Sequence, residues 1–482
     1  MYPMEKNAET CFSGRKEEMV LLLKTGDSVL VRTEKTSSDG SALARTPEGL
    51  IVFIPGGLPG ETIRARISVR KKEYAIAVPE EVTEPHVQRR NPFCPVFGLC
   101  GGCQLQHAAY SLQLMMKQSI VRDAFERIYK KTFPDIPPCI PAPQETGYRN
   151  KTSFPVRKVN GRAATGYFAP RSHDIVPVNT CPVAARRIDG AYSLFAGTLP
   201  ALALPPYDEK NGKGVLRHAI FRQSMENQDV LVSLVIARPL SKQQRKLVAE
   251  QILPVFRDRI PGLRSLTLNL NPKQGNVIVG RDTEILYGDG LVEEILSPFR
   301  LLYDTTAFFQ VNSRQALALY EYVEKAAVHT GDEHVLELFS GAGSLTVFLA
   351  RSARHVTAVE EWDSAVLMMN GNLGVNGLAK KTTLLSGAVE KVVPSLERNF
   401  NVVVLDPPRT GCDASVLKLL LSSGPDRIVY VSCNPATLAR DGAILSEGGY
   451  SVESLSCFDM FPQTVHVETV AVFVPQNGSC PH

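Results

Sequence analysis

Three carboxylates and one cysteine in the C-terminal third stand where chemistry could be done. NVVVLDPPRTG is a buried apolar run that delivers Asp406 at its tip. Pro407 and Pro408 follow, without N–H donors, and stiffen the chain as it leaves a sheet. RIVYVSCNP delivers Cys433 in the same manner. A cysteine at an exposed strand tip is a candidate nucleophile, although free cysteine is often simply buried. DMFPQTVHVETVAVFV sets Glu468 inside an apolar strand, where an acid is costly unless paired or functional. His466 shares its strand face, and a lone histidine of this kind is more often structural. HVLELFSGAGSLTVFLA reads as strand, glycine turn, helix, and Gly341 and Gly343 let a ligand approach the backbone. Glu360 ends the next strand, where a carboxylate can accept from both hydroxyls of a ribose. A dinucleotide site would prefer a third glycine where Thr346 stands, which disfavours NAD.

A second group is CPVFGLCGGC, with Cys94, Cys100 and Cys103. Cys181 in NTCPV is the best fourth ligand, because a proline follows it as in many cluster loops. Four thiolates suit zinc or an iron–sulfur cluster, and spacing alone leaves the two open. Cys11, Cys139, Cys412, Cys457 and Cys480 show no such grouping.

Short strand-like runs with turn signals extend to about residue 82, which suggests a small OB-type β-barrel. In ETIRARISVRKK, Ile63, Ala65, Ile67 and Val69 alternate with Arg64, Arg66, Ser68, Arg70 and Lys72. The basic side is a solvated strand face or a strip for phosphates. Residues 107–131 read as an amphipathic helix with Leu112, Met115, Met116, Ile120, Ala124 and Phe125 on one face. Five prolines between Pro134 and Pro143 mark a linker. Residues 145–300, with VLVSLVIA, SLTLNLN and NVIVG as strands, predict an antiparallel α+β region. Beyond 300, a helix at 312–328 precedes strands at 334–338, 355–359, 382–385, 401–405 and 427–431. This alternation predicts a doubly wound parallel sheet, closed by strands near 450–457 and 467–474.

The 482-residue chain is 44% hydrophobic and 21% charged, a globular composition long enough for two to four domains. Its net charge of +4 is compatible with nucleic acid but too weak to argue for it. No apolar run is long enough to span a membrane, and the start lacks the apolar core of a signal peptide. The expectation is a cytoplasmic protein without membrane association, in which ten cysteines serve metal or catalysis rather than disulfides.

DPPRTG, VSCNPATLARD and DMFPQTVHVE, in this order, resemble the S-adenosylmethionine-dependent RNA uridine-5 methyltransferases. The resemblance runs from about Leu22 to Pro475 and is narrowest with the iron–sulfur branch that modifies 23S ribosomal RNA. It implies Cys433 as nucleophile and Glu468 as proton acceptor. S-Adenosylmethionine contacts fall on Gln310 of FFQVN, Phe339 of ELFSG, Glu360 and Asp406. A [4Fe-4S] cluster falls on Cys94, Cys100, Cys103 and Cys181. The N-terminal barrel resembles the RNA-binding TRAM domain, with LPGE at 58–61.

The implied organisation is a flexible tail over 1–20 and a TRAM domain over 21–83. A central α+β domain with the cluster loop covers 90–300, and a Rossmann-like methyltransferase domain covers 301–482. The helix at 107–131 is expected to pack on that last domain. The implied partner is RNA, 23S rRNA first, and the chain is expected to be a monomer. Arg64, Arg66, Arg70 and Lys72 are the candidate RNA contacts. Glu337 stands where the family commonly has Asp, and Ala388 where many members have an acid, which bears on cofactor affinity. Three other readings compete: the T-loop uridine of transfer RNA, an exocyclic-amine methyltransferase and a non-catalytic iron–sulfur RNA-binding protein. The second would leave Cys433 without a role, and the intact Gln310, Asp406, Cys433 and Glu468 argue against the third.

Overall fold

The proposed chemistry needs strand tips gathered at one crevice, and the C-terminal sheet provides them. The computed structural model describes residues 23–476 apart from 203, 397 and 398. The expected tail at 1–20, with Cys11, and Cys480 lie outside the described residues. Seven strands lie in the order Thr382–Ser386, His355–Glu360, His334–Leu338, Val402–Leu405, Arg427–Ser432, Glu468–Pro475 and Tyr450–Phe458. The first five are mutually parallel. Glu468–Pro475 runs antiparallel between Arg427–Ser432 and Tyr450–Phe458. Strand order reverses between His334–Leu338 and Val402–Leu405, so a ligand crevice opens above their C-terminal ends. The central strands are apolar through their length, with Val335, Leu336, Val403, Val404 and Val429 all buried, as a sheet covered on both faces requires.

The helix of residues Tyr110–Ala124 continues into a wider turn, Phe125–Tyr129, and packs on this sheet. Tyr129 shares a 2.7 Å hydrogen bond with Ser446. Lys117, with its side chain fully buried, lies 2.5 Å from the equally buried Asp459 and donates to the Phe461 carbonyl. Met115 is 61% exposed and does not belong to the buried face. That face holds Gln113 and Lys117 instead, two polar residues that a hydrophobic periodicity cannot flag. The proline-rich segment then adds to the sheet edge, where Ile140 N donates to the Cys457 carbonyl at 2.8 Å. The hairpin Val292–Leu296 and Phe299–Tyr303 shares the core of the same sheet.

Between these pieces lies a second seven-stranded sheet, in the order Asp282–Tyr287, Leu263–Leu270, Val230–Ile236, Leu216–Gln223, Lys151–Val159, Arg162–Phe168 and Ile175–Pro177. It is antiparallel except where Val230–Ile236 pairs parallel with Leu263–Leu270, an exception the antiparallel expectation lacks. The crossover between those two strands carries helices, as a parallel connection must. NVIVG is not a strand. Val277 is 62% exposed, and the Val277 and Ile278 carbonyls accept from the Asn271 side chain.

The N-terminal unit is a closed five-stranded barrel of Ser28–Thr36, Ala42–Arg45, Ile51–Ile54, Thr62–Arg70 and Tyr74–Glu84. Ala42–Arg45 is too short and alanine-rich to register as a strand in the sequence. Ile63, Ala65 and Ile67 face the barrel core, whereas Val69 is 37% exposed. LPGE owes its pattern to Glu61, whose buried carboxylate accepts from the amides of Leu58 and His86.

Candidate active site

The SCNP sequence is a helix start. Asn434 caps the helix Pro435–Glu447 by accepting from Ala436 N, and Pro435 occupies the first turn, where its missing N–H costs nothing. Cys433 is thereby fixed between the end of a strand and a helix cap. The Asn434 side chain also donates to the Arg409 carbonyl at 3.0 Å, which ties DPPRTG to SCNP. Asp441, fully buried, holds the same loop by accepting from Cys412 N at 2.8 Å and from the Tyr430 hydroxyl at 2.6 Å. Arg440 donates to the Thr410 carbonyl. The ARD end of VSCNPATLARD therefore serves the loop of the other motif.

Cys433, Glu468, Asp406 and Arg409 act on one another electrostatically. Burial pushes the Cys433 thiol up to about 11, Glu468 and Asp406 push in the same direction, and the Arg409 guanidinium opposes them. Glu468, 2% exposed, is held well above the usual carboxylate range by burial and by Asp406, again opposed by Arg409. Burial pushes Asp406 up to about 7. The crevice thus favours the protonated form of Glu468 more than water does a free glutamate, because burial and Asp406 both disfavour its charge. His466 is held down to about 4, first by burial and then by Arg409, Lys117 and Arg149, so it is neutral at pH 7. Sequence reasoning gave Arg409 no role and missed its charge as a participant.

The glycine-turn side of the crevice is built around Glu360. Its carboxylate accepts from Gly341 N at 2.8 Å and Trp362 N at 3.0 Å, so the acid is fixed against the glycine turn. Phe339 adopts a left-handed φ of 64°, a strained state for a side chain with a Cβ, of the sort that clusters at ligand sites. Glu337 is 2% exposed, and its Oε2 finds no hydrogen-bond partner among the described residues. Burial pushes it up to about 8, and Asp406 and Glu360 add to the rise. Gln310 is buried in the loop before the helix Ser313–Ala327, and its carbonyl accepts from Asn150. No hydrogen bond joins it to Cys433 or Glu468 among those described. Ala388 precedes the short helix Val389–Val392 and brings no acid to the crevice.

Cys94, Cys100, Cys103 and Cys181 line a single pocket together with Arg149 and Tyr167. Burial raises Cys100 and pushes Cys103 up to about 12, and the neighbouring thiols add to both rises. Arg149 Nε has no hydrogen-bond partner among the described residues. Among those residues no three His, Cys, Asp or Glu side chains converge as a set that could hold a metal ion. Cys139 and Cys457, ungrouped in the sequence, are brought into thiol–thiol contact. In the barrel, Arg64 pairs with Glu81 at 3.6 Å and Arg66 with Glu80, so half of the basic strip is neutralised by its neighbouring strand.

A family model described as tRNA (uracil-5-)-methyltransferase matches residues 109–476, and one described as TRAM domain matches 23–79. The chain belongs to the RNA uracil-5 methyltransferase family. An uncharacterized RNA methyltransferase of Listeria innocua is 36% identical to it over 94% of this chain and 98% of its own. One of Halalkalibacterium halodurans is 37% identical over the same shares. The crystal structure of the tRNA (uracil-54, C5)-methyltransferase of Pyrococcus abyssi, bound to S-adenosyl-L-homocysteine, superposes with a TM-score of 0.73 at 25% identity. It covers 92% of this chain and all of that one. The chain is therefore an RNA methyltransferase of S-adenosylmethionine-dependent fold with an N-terminal TRAM domain. No helix among its described residues is long and apolar enough to cross a membrane.

Proposed function

We propose that this protein methylates C5 of a uridine in RNA in the cytoplasm, with 23S ribosomal RNA as its substrate. The observation that carries the chemistry is the meeting of the Cys433 thiol, the Glu468 and Asp406 carboxyls and the Arg409 guanidinium at the ends of adjacent strands. Uracil C5 is a poor nucleophile. Addition of the Cys433 sulfur to C6 forms an S–C6 bond and leaves an enolate whose electron pair resides at C5. S-Adenosylmethionine would supply an electrophilic methyl group on a sulfonium: the C5 electron pair takes the methyl, and the pair of the broken C–S bond stays with the departing neutral thioether. Once C5 carries both methyl and hydrogen, Glu468 takes the proton. The C5–H electron pair restores the double bond, and the S–C6 bond breaks to release the thiolate. A soft sulfur that both attacks and leaves, and a carboxylate tuned by burial, are the groups this sequence needs. The Gly341–Gly343 turn, Phe339, Glu360, Asp406 and Gln310 would hold the methyl donor. The reacting base must leave its stack, so the target is a loop or flipped uridine.

The four pocket thiols would hold a [4Fe-4S] cluster. They line one pocket with no carboxylate in its lining, an all-thiolate donor set that suits zinc as well as iron–sulfur, and the resemblance to the iron–sulfur branch is what favours the cluster. Arg149, whose Nε has no hydrogen-bond partner among the described residues, would balance part of the negative charge of four thiolates. Methyl transfer moves no electron through the protein, so this group serves structure and RNA positioning.

A second reading is a transfer RNA uridine, favoured by the similarity to an archaeal tRNA (uracil-54, C5)-methyltransferase. Purified protein offered 23S rRNA and tRNA transcripts, followed by mapping of 5-methyluridine, separates the two. Cys433→Ala should give no adduct and no product. Glu468→Gln should accumulate a covalent protein–RNA species that already carries the methyl group, seen as a shifted band on a denaturing gel. Product formation by Cys433→Ala would sink the mechanism.

A further inference from the structure

Gln463 lies five residues before Glu468, in the loop between the last two strands, and is fully buried. Its backbone has a left-handed φ of 71°. A non-glycine residue is strained in such a state, which persists only where the surroundings over-determine it. Here they do. The Gln463 carbonyl accepts from Gln104 N at 3.0 Å and Leu105 N at 2.9 Å, directly after the cysteine loop. Its amide donates to Gln113 Oε1 at 2.9 Å. Its side-chain oxygen accepts from Gln113 Nε2 and from Arg90 Nη2, both at 3.0 Å. Its side-chain nitrogen donates to the Glu145 carbonyl at 3.3 Å.

Two of these partners lead on to the thiol pocket, which Gln106 lines. Arg90 Nε donates to the Gln106 carbonyl, and Gln106 Oε1 accepts from Cys94 N at 3.1 Å. Gln104 Nε2 donates to the Gly101 carbonyl at 2.9 Å, and Gln104 Oε1 accepts from Val465 N at 3.4 Å. Beyond Gln463 the chain passes through Thr464, whose hydroxyl accepts from His466 N at 3.2 Å, into the strand that begins with Glu468. Nothing in this connection passes through the crevice floor, so it is a separate support for the same carboxylate.

We propose that Gln463 is a positioning residue that clasps the cysteine loop to the Glu468 strand, so that order in the thiol pocket sets the placement of the proton acceptor. The inference rests on the proposed role of Glu468. It gives the thiol pocket a mechanical task in a reaction that needs no electron transfer.

The test uses the full-length protein as purified, with three variants. Gln463→Ala removes the side-chain contacts, and Gln463→Glu keeps the acceptor for Gln113 and Arg90. Cys103→Ser breaks the thiol set. Hydrogen exchange at residues 464–468 should rise in Gln463→Ala and in Cys103→Ser, and stay near the parent level in Gln463→Glu. In turnover, Gln463→Ala should leave the methyl-donor KM unchanged and lower kcat by about 100-fold, the effect of a reacting group displaced by an ångström. The methylated covalent adduct should accumulate, as in Glu468→Gln, and Gln463→Glu should restore turnover. Unchanged exchange at 464–468, or a kcat loss without methylated adduct, overturns the clasp. If Gln463→Ala does not fold, Gln104→Ala carries the same expectation at smaller size, and unchanged exchange there has the same force. If the unmutated protein forms no adduct with 5-fluorouridine RNA, the uridine reading fails instead, and the exchange comparison still decides the clasp.

Discussion

Arg409→Ala is the most direct probe of how the crevice prepares its sulfur. The Cys433 thiol is pushed up to about 11 although Arg409 pulls it down. At pH 7.5 a thiol of that pKa is ionised in roughly one molecule in three thousand. A hydrogen bond to a charged group contributes about 1.5 kcal/mol or more, and loss of that amount lowers the thiolate population about tenfold. The thiolates that remain belong to a weaker acid and are each about threefold more nucleophilic. The net expectation is alkylation of Cys433 about threefold slower at pH 8, with the titration midpoint displaced to higher pH. The sign follows from removing a cation that favours the charged form. Iodoacetamide labelling of Cys433 across pH 7–12, read by peptide mass spectrometry, measures both quantities. Below both midpoints the two proteins should rise in parallel, and as the unmutated thiol saturates the deficit should close and then reverse, because the variant's thiolate is the stronger nucleophile. A midpoint that stays or falls refutes the electrostatic role, and a deficit that persists at high pH shows altered access instead. Arg409→Lys should lie between the two, because it keeps the charge without the fork.

Lys117→Met strands Asp459 as a buried charge and should cost about 3–5 kcal/mol in urea unfolding, with much of it recovered in the Lys117→Met/Asp459→Asn double variant. A loss below 1 kcal/mol would mean the pair is solvated. Anaerobically purified protein should contain iron and sulfide and absorb near 400 nm, and a colourless zinc protein of full activity would refute the cluster. Arg70→Ala/Lys72→Ala should weaken RNA binding and flatten its salt dependence more than Arg64→Ala/Arg66→Ala, because the latter arginines already pair with Glu81 and Glu80. Equal effects would restore the whole strip as a phosphate surface.

Much of the reacting end was legible because each motif states its own local structure. A hydrophobic run followed by Asp-Pro-Pro or Ser-Cys-Asn-Pro is a strand with a shaped exit, and the parallel strands fall within a residue or two of where periodicity places them. Charge balance was not legible. That Glu468 and Cys433 stand well above their solution values follows from burial and from Asp406, both properties of the assembled crevice. Lys117 and Gln113 were invisible on a helix whose apolar pattern pointed elsewhere, since their partners lie more than 340 residues away in sequence. Met115 was misread because three apolar residues in a helical turn cannot all face inward. The NVIVG run failed as a strand because short apolar segments carry no information on whether a partner edge exists.

The pairing of Lys117 with Asp459 has a consequence for how the protein is made. The two residues are 342 positions apart, and the catalytic sheet is complete only when Glu468–Pro475 has been synthesised. At roughly 5–20 residues per second, the helix Tyr110–Ala124 leaves the ribosome about 20–70 s before its docking surface exists. During that interval Leu112, Met116, Ile120 and Val121 lack the completed catalytic sheet, and only the following segment around Ile136 and Cys139 is at hand to cover Val121. The barrel needs only residues already translated and can close at once, whereas the methyltransferase core must wait for the last strand. Nascent chains stalled between residues 330 and 450 should therefore be the form most dependent on a chaperone, and a fragment beginning at residue 301 should not fold alone.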